Sequence, residues 1–127
     1  MKLRIKGNSL RLRVTPSEVK HLLRNGAIRE HVQLTPDPRG RLIYAVVNSM
    51  SGATITVACQ SGDITVSVPD AQLKNWACSE EVGVYADVTL GDDRVLSVTI
   101  EKDFACLYRS DAANEDTFPN PILTATC

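Results

Sequence analysis

The sequence has few aromatic residues and no long apolar run. Aromatic residues make up 5% of the 127 positions, and they are scattered along the chain instead of forming the stacking surface on which nucleic-acid bases bind. No apolar run reaches the roughly 20 residues of a membrane-spanning helix, and the N-terminus lacks the apolar segment of a secretory signal. We therefore expect a cytoplasmic protein with no membrane partner.

Sequence motifs of enzymes and metal sites are also missing. There is no glycine-rich phosphate loop, no HExxH-type zinc motif and no nucleophile paired with a general base. The four cysteines form no CxxC pair, so we expect reduced, mostly buried thiols, with a pairing of Cys106 and Cys127 left open. His21 is expected on an exposed helix face, and His31 has no second ligand near it in sequence.

The net charge of −1 hides an uneven distribution of charge. Residues 1–31 contain eight basic and two acidic residues, whereas the rest of the chain contains six basic and thirteen acidic residues. Because the two parts can neutralise each other, the chain lacks the surplus of positive charge that is typical of nucleic-acid-binding proteins. We expect no nucleic-acid partner.

The length fits one domain. We predict a single α+β domain over residues 1–109. Residues 110–127 are rich in Asp, Asn, Thr and Pro and are predicted to form an extended acidic tail, packed on the domain or trailing from it. Phe118 and Ile122 are candidates to anchor this tail.

The opening sequence alternates basic and apolar residues around a hairpin turn. Gly7-Asn8 predicts a two-residue turn of type II′. Its register predicts the pairs Leu3–Leu12 and Ile5–Leu10 on one face, and Lys2–Arg13 and Arg4–Arg11 on the other. Burial of four aliphatic side chains at about 1.5–3 kcal/mol each outweighs like-charge repulsion of about 0.2–1 kcal/mol per pair. One long strand with a bulge at Gly7 is the alternative.

Two short helices are predicted. Thr-Pro-Ser-Glu at 15–18 has the residues of a capping box with proline at the first helical position, and Asn25-Gly26 is a typical helix end. Asp70 is predicted to cap a second helix that buries Leu73, Trp76 and Ala77.

Period-two alternation predicts further strands. They cover residues 28–34, 42–47, 55–59, 64–68, 82–90 and 96–100. Together with the opening hairpin, they predict an α+β fold: a mainly antiparallel curved sheet or barrel of seven to eight strands with two short helices.

Two groups of charged residues are candidates for a binding site. The candidate anion-binding residues are Arg4, Lys6, Arg11 and Arg13. The candidate metal ligands are Glu101 and Asp103, whose carboxylates lie on one face of a predicted strand and suit Mg²⁺ or Mn²⁺. If the opening hairpin lies beside that strand, the same residues would instead form modest cross-strand ion pairs that need no metal.

The basic strands "KLRIK" and "LRLR" and the acidic "EKD" resemble those of the triphosphate tunnel enzymes, whose barrels hold a triphosphate and its metal. This resemblance implies a metal-dependent phosphohydrolase or an organic-phosphate-binding protein. The chain lacks that family's ExExK signature near the N-terminus.

The segments "MKLRIKGNSLRLRVTPSEV", "IEKDFACL" and "EDTFPNP" resemble a family of small bacterial proteins of unknown function. This resemblance spans most of the chain and implies a bacterial cytosolic protein, without an activity, cofactor or site residue. We therefore expect a small non-enzymatic binding or protein-interaction module, with a protein partner at the basic edge or the acidic tail. The alternative is a metal-dependent phosphohydrolase or an organic-phosphate-binding protein.

Overall fold

Each alternating apolar segment of the sequence forms a strand. The computed structural model describes residues 1–105 and 116–119, which contain eight strands and two helices. In chain order they are β1 (Lys2–Ile5), β2 (Ser9–Val14), α1 (Pro16–Asn25), β3 (Ala27–Gln33), β4 (Arg41–Ser49), β5 (Thr56–Gln60), β6 (Asp63–Pro69), α2 (Asp70–Ala77), β7 (Gly83–Thr89) and β8 (Val95–Lys102). Within these described residues, no helix is long and apolar enough to cross a membrane.

The opening hairpin has the predicted register. Gly7 has a φ of 55°, as the first turn position of a type II′ hairpin requires, and the Lys6 amide donates to the Ser9 carbonyl at 3.3 Å. The observed pairs are Lys2–Arg13, Leu3–Leu12, Arg4–Arg11 and Ile5–Leu10. The bulged single strand is therefore wrong.

Helix α1 begins and ends where the sequence predicts. The Thr15 hydroxyl accepts from the Glu18 amide, and the Glu18 carboxylate accepts from the Thr15 amide at 3.0 Å, which completes the capping box. Gly26 ends the helix in the left-handed conformation, with a φ of 82°. Val19 and Leu22 are buried, and His21 is exposed as predicted.

Helix α2 forms as predicted, but its cap differs. Pro69 occupies the cap position without a side-chain hydrogen bond, and Asp70 is the first helical residue. The Asp70 carboxylate accepts instead from the Asn48 side chain at 2.7 Å and pairs with Lys74 at 2.9 Å. The prediction of Asp70 as the cap is therefore wrong. Leu73 and Trp76 are fully buried on this helix.

The strands form two four-stranded mixed sheets, in the orders β1-β2-β8-β7 and β3-β4-β6-β5. β2 pairs with β8 in parallel, and so does β4 with β6, whereas the four hairpin pairings are antiparallel. The α+β class with eight strands and two helices is confirmed. The described strands do not close into a barrel, since each sheet keeps two edge strands.

The chain contains the same ββαββ unit twice, which the sequence analysis did not detect. The first unit is β1-β2-α1-β3-β4 and the second is β5-β6-α2-β7-β8. In each unit the second strand pairs in parallel with the last strand of the other unit. The register agrees as well, because Leu12–Ile100 in one sheet corresponds to Val66–Val46 in the other. The two opening hairpins, β1–β2 and β5–β6, are thus structural equivalents.

One apolar core joins both sheets and both helices. It includes Leu12, Leu22, Val46, Val66, Trp76 and Ile100, among others. In the first hairpin Leu10 and Leu12 are buried and Leu3 packs against the core, but Ile5 is 60% exposed. Ile5 ends the short edge strand β1, so only the inner part of the predicted apolar face lies over the core. Cys59 occupies the equivalent position of β5, one residue before its end, and is exposed as well.

The predicted burial of the cysteines is wrong for the two that the structure describes, because Cys59 and Cys78 are exposed, although both are free thiols. Cys106 and Cys127 lie outside the described residues, so the pairing that the sequence leaves open is not tested. Most of the predicted tail also lies outside them, and the domain boundary stays a prediction. Phe118 packs edge-on against Phe104, with 5.9 Å between ring centroids. Ile122 is not among the described residues.

Candidate anion-binding face

One side of the β1–β2 hairpin carries five cationic side chains. Because successive strand residues point to opposite faces, burial of Leu10 and Leu12 places the basic residues on the side away from the core. We call this side the basic face. It consists of Lys2, Arg4, Lys6, Arg11 and Arg13.

Strand β8 brings one carboxylate to this face. The parallel pairing sets Glu101 directly beside Arg13, and Arg13 Nε donates to Glu101 Oε1 at 3.0 Å. Arg11 Nε lies 3.6 Å from the same oxygen. Glu101 is half-buried, and its single negative charge lies closer to Arg13 than to Arg11.

The second predicted metal ligand, Asp103, also pairs with a cation. Its side chain is only 6% exposed, and its Oδ2 accepts from Lys2 Nζ at 3.0 Å. Residue 103 follows the end of β8, where its amide donates to the Val14 carbonyl at 2.9 Å. Among residues 1–105 and 116–119, no three His, Cys, Asp or Glu side chains come together as a metal-ligating group. The metal site at Glu101 and Asp103 therefore stays a prediction.

Two cations of the basic face have no acidic partner among residues 1–105 and 116–119. Arg4 and Lys6 are exposed, and no ion pair within 4.0 Å joins either of them to another described residue. They border a depression of about 150 Å³ that is lined by Arg4, Lys6, Ser9 and Arg11. We call it the basic depression. The Ser9 hydroxyl donates to the Lys6 carbonyl at 2.5 Å and thereby fixes the turn that carries Lys6.

The acidic residues nearest in sequence are engaged elsewhere. Glu18 and Glu30 are the two acidic residues of positions 1–31, and both accept hydrogen bonds from the Met1 amine, Glu30 at 3.1 Å. Burial lowers the pKa of that amine, but its bonds to Glu18 and Glu30 outweigh burial and raise the pKa above its usual value. Neither carboxylate is therefore free to neutralise the basic face.

The Glu18 carboxylate shows the matching shift. Burial by itself raises the pKa of Glu18, but hydrogen bonds from the Met1 amine and from Thr15 outweigh burial, and the pKa falls below its usual value. The amine and the carboxylate thus hold each other in their charged forms.

The equivalent hairpin in the second unit has no such charges. In the register of β5–β6, the positions of Arg4 and Arg11 are taken by Ala58 and Thr65, which are direct cross-strand partners. The positions of Lys6 and Arg13 are taken by Gln60 and Ser67. Because both hairpins pair in the same register, the strand pairing does not require cations at these positions.

One protein-family model matches most of the chain. A family model described as "Family of unknown function (DUF7009)" matches residues 1–122. The chain belongs to the DUF7009 family. No curated protein and no solved structure matches it. Membership confirms the resemblance to a family of unknown function.

In this DUF7009 chain, the four predicted anion-binding residues separate into two sets. Arg4, Lys6 and Arg11 surround one depression, whereas Arg13 is bonded to Glu101. Ser9 also lines the depression and was missed by the sequence analysis. The alternation could have indicated it, since Ser9 has the same parity as Arg11 on β2.

In this DUF7009 chain, His31 lies on the sheet that does not carry the basic face. His31 is exposed on β3, in a broad depression of about 420 Å³ that Arg29 and Arg41 also line. Arg41 is bonded to Asp63 at 2.6 Å. Within the described parts of the chain, His31 belongs to no metal-ligating group.

Proposed function

We propose that this chain is a small non-enzymatic binding module whose basic face engages an acidic surface of a protein partner. The observation that carries the proposal is a pair of exposed cations with no ion-pair partner among the described residues, Arg4 on the edge strand β1 and Lys6 in the turn that follows it. The equivalent hairpin has Ala58 and Gln60 there and forms the same fold. Exposed cations that the fold does not need raise the local positive potential and attract an acidic partner.

The position of these cations fits a protein surface. They lie on an exposed strand face beside the shallow basic depression, so a partner reaches them without entering a pocket. Exposed charges steer association and fix orientation more than they add affinity. We therefore expect binding that weakens strongly as ionic strength rises.

The metal-dependent phosphohydrolase is the alternative, and the geometry favours it less. It needs Glu101 and Asp103 to hold Mg²⁺ or Mn²⁺, but Glu101 is bonded to Arg13 and Asp103 to Lys2. A cation would have to displace both partners. Stabilisation of the chain by Mn²⁺ together with tripolyphosphate, abolished in Glu101→Gln, would favour the alternative.

We further propose a bacterial, cytoplasmic location. The resemblance noted in the sequence supports a bacterial origin. The exposed free thiols of Cys59 and Cys78 suit a reducing compartment.

The test measures binding of a glutamate-rich peptide to the full chain by fluorescence anisotropy at low and high salt. Arg4→Gln/Lys6→Gln should weaken binding by about two- to thirtyfold, since each lost contact between exposed charges is worth about 0.2–1 kcal/mol. Lys20→Gln/Arg29→Gln removes the same charge from exposed positions on α1 and β3 and should leave the affinity nearly unchanged. Equal losses in both variants would mean that net charge alone causes binding, and would overturn the proposal.

A further inference from the structure

The basic depression is suited to one particular anionic group. Resting on the proposed function, we infer that Arg4, Lys6 and Arg11 together bind the phosphate group of a phosphate monoester. The depression holds about 150 Å³, so it accommodates one compact anionic group and not a row of carboxylates. Arg13 takes no part, because Glu101 already compensates its charge.

The balance of charge favours phosphate over a carboxylate. Three cations line the depression, and none of its four lining residues is acidic. Glu101 lies 3.6 Å from Arg11 and 3.0 Å from Arg13, so most of the charge of Arg11 remains available. A carboxylate supplies one negative charge, whereas a phosphate monoester supplies about 1.5 to 2 at pH 7. The phosphate therefore compensates the depression more completely.

The geometry of the hairpin favours the same group. Arg4 and Arg11 are direct cross-strand partners on one face, and the Cβ atoms of such partners lie about 4.5–5.5 Å apart. Two guanidinium groups at that spacing reach the same anion, and each can donate two parallel hydrogen bonds to an oxyanion. A phosphate monoester offers three terminal oxygens to Arg4, Arg11 and Lys6, whereas a carboxylate offers two.

The first hairpin places like charges side by side, because Arg4 and Arg11 are cross-strand partners. Opposed like charges on a sheet face are destabilising, and the equivalent pair in β5–β6 is Ala58–Thr65, which carries none. A bound dianion removes this repulsion in the first hairpin. Ser9 acts as a positioning residue, because its bond to the Lys6 carbonyl holds the turn next to the depression.

The experiment compares two peptides of equal net charge by calorimetry on the full chain. One carries phosphoserine at its centre, and the other carries two glutamates in its place. The phosphopeptide should bind at least about tenfold tighter, since the third phosphate oxygen adds one hydrogen bond between charged groups, and such a bond exceeds the 1.4 kcal/mol that a factor of ten requires. That advantage should disappear in Arg4→Gln/Arg11→Gln and persist in the matched control Lys20→Gln/Arg29→Gln.

A third ligand, glycerol 3-phosphate, distinguishes the sources of the phosphate. Weaker binding than that of the phosphopeptide supports a phosphorylated side chain, and equal binding supports a small organic phosphate. Equal affinity of the two peptides would overturn the phosphate inference while leaving the proposed function standing. If only glycerol 3-phosphate binds, the phosphate inference holds and the protein partner is wrong. If none of the three binds, both proposals are overturned.

Discussion

Arg13 and Glu101 face each other across the parallel pair β2–β8, with 3.0 Å between Nε and Oε1. This contact joins the first unit of the chain to the second and separates Arg13 from the cations of the basic depression. It divides the basic face into a part that supports the fold and a part that is open to a ligand.

We predict that the Arg13–Glu101 pair contributes to stability, whereas Lys6 does not. A double-mutant cycle with Arg13→Gln and Glu101→Gln should give a coupling free energy of about 0.5–1 kcal/mol, the upper range for a partly exposed pair. Lys6→Gln should change the free energy of unfolding by less than about 0.5 kcal/mol. Urea denaturation measures both. A coupling free energy of zero would mean that the contact between Arg13 and Glu101 does not stabilise the fold.

The free energy of unfolding should fall by different amounts when Lys2 and when Asp103 is replaced. Asp103 is buried, whereas more than half of the Lys2 side chain is exposed. Lys2→Met leaves a buried carboxylate without a cation and should cost about 1–3 kcal/mol. Asp103→Asn leaves an exposed ammonium in water and should cost less. The opposite order in urea denaturation would contradict the described burial of Asp103.

The local parts of this fold were predictable and the non-local parts were not. The register of the first hairpin follows from Gly7-Asn8 and the alternation around it, and α1 follows from its capping box, because these signals lie within a few residues of each other. The pairing of β2 with β8 joins distant segments, and either strand pattern would suit another neighbour. The ββαββ repetition escaped detection because equivalent positions such as Leu12 and Val66 share only apolar character.

The same distinction holds for the candidate site. Sequence parity grouped Arg4, Lys6, Arg11 and Arg13 correctly on one face. Separating Arg13 from the others required knowledge that β8 places Glu101 beside it. Ile5 was predicted to be buried because its parity matches Leu3, but parity does not show where an edge strand leaves the core.

Replacement by alanine should destabilise the chain much more at Leu12 than at Ile5. Leu12 is 1% exposed and Ile5 is 60% exposed. Leu12→Ala should destabilise the chain by about 2–5 kcal/mol, whereas Ile5→Ala should cost less than about 1 kcal/mol. Thermal and urea unfolding measure both. Equal losses would mean that Ile5 is covered in solution.

Stability should be highest between mildly acidic and mildly alkaline pH. The pKa of Glu18 is lowered in the folded state, so its contribution is present above its usual pKa of about 4.3 and is lost as the pH falls further. The pKa of the Met1 amine is raised, so its contribution is present below about pH 8 and is lost as the pH rises through the folded value. The urea concentration at the midpoint of unfolding should fall at both acidic and alkaline pH.

Glu18→Gln is the control for this pH dependence. It removes the acid-side contribution of residue 18 and one of the two partners of the Met1 amine, so both declines should become shallower. A pH profile identical to that of the unmodified chain would show that the amine and Glu18 are not paired in solution.

The most direct measurement replaces the three cations of the basic depression by the residues of the equivalent hairpin. The variant Arg4→Ala/Lys6→Gln/Arg11→Thr takes its side chains from Ala58, Gln60 and Thr65. Its free energy of unfolding should stay within about 1 kcal/mol of the unmodified chain, while its affinity for the glutamate-rich peptide falls at least about tenfold. A variant that fails to fold, or that folds and still binds the peptide with full affinity, would contradict the assignment of these cations to a ligand.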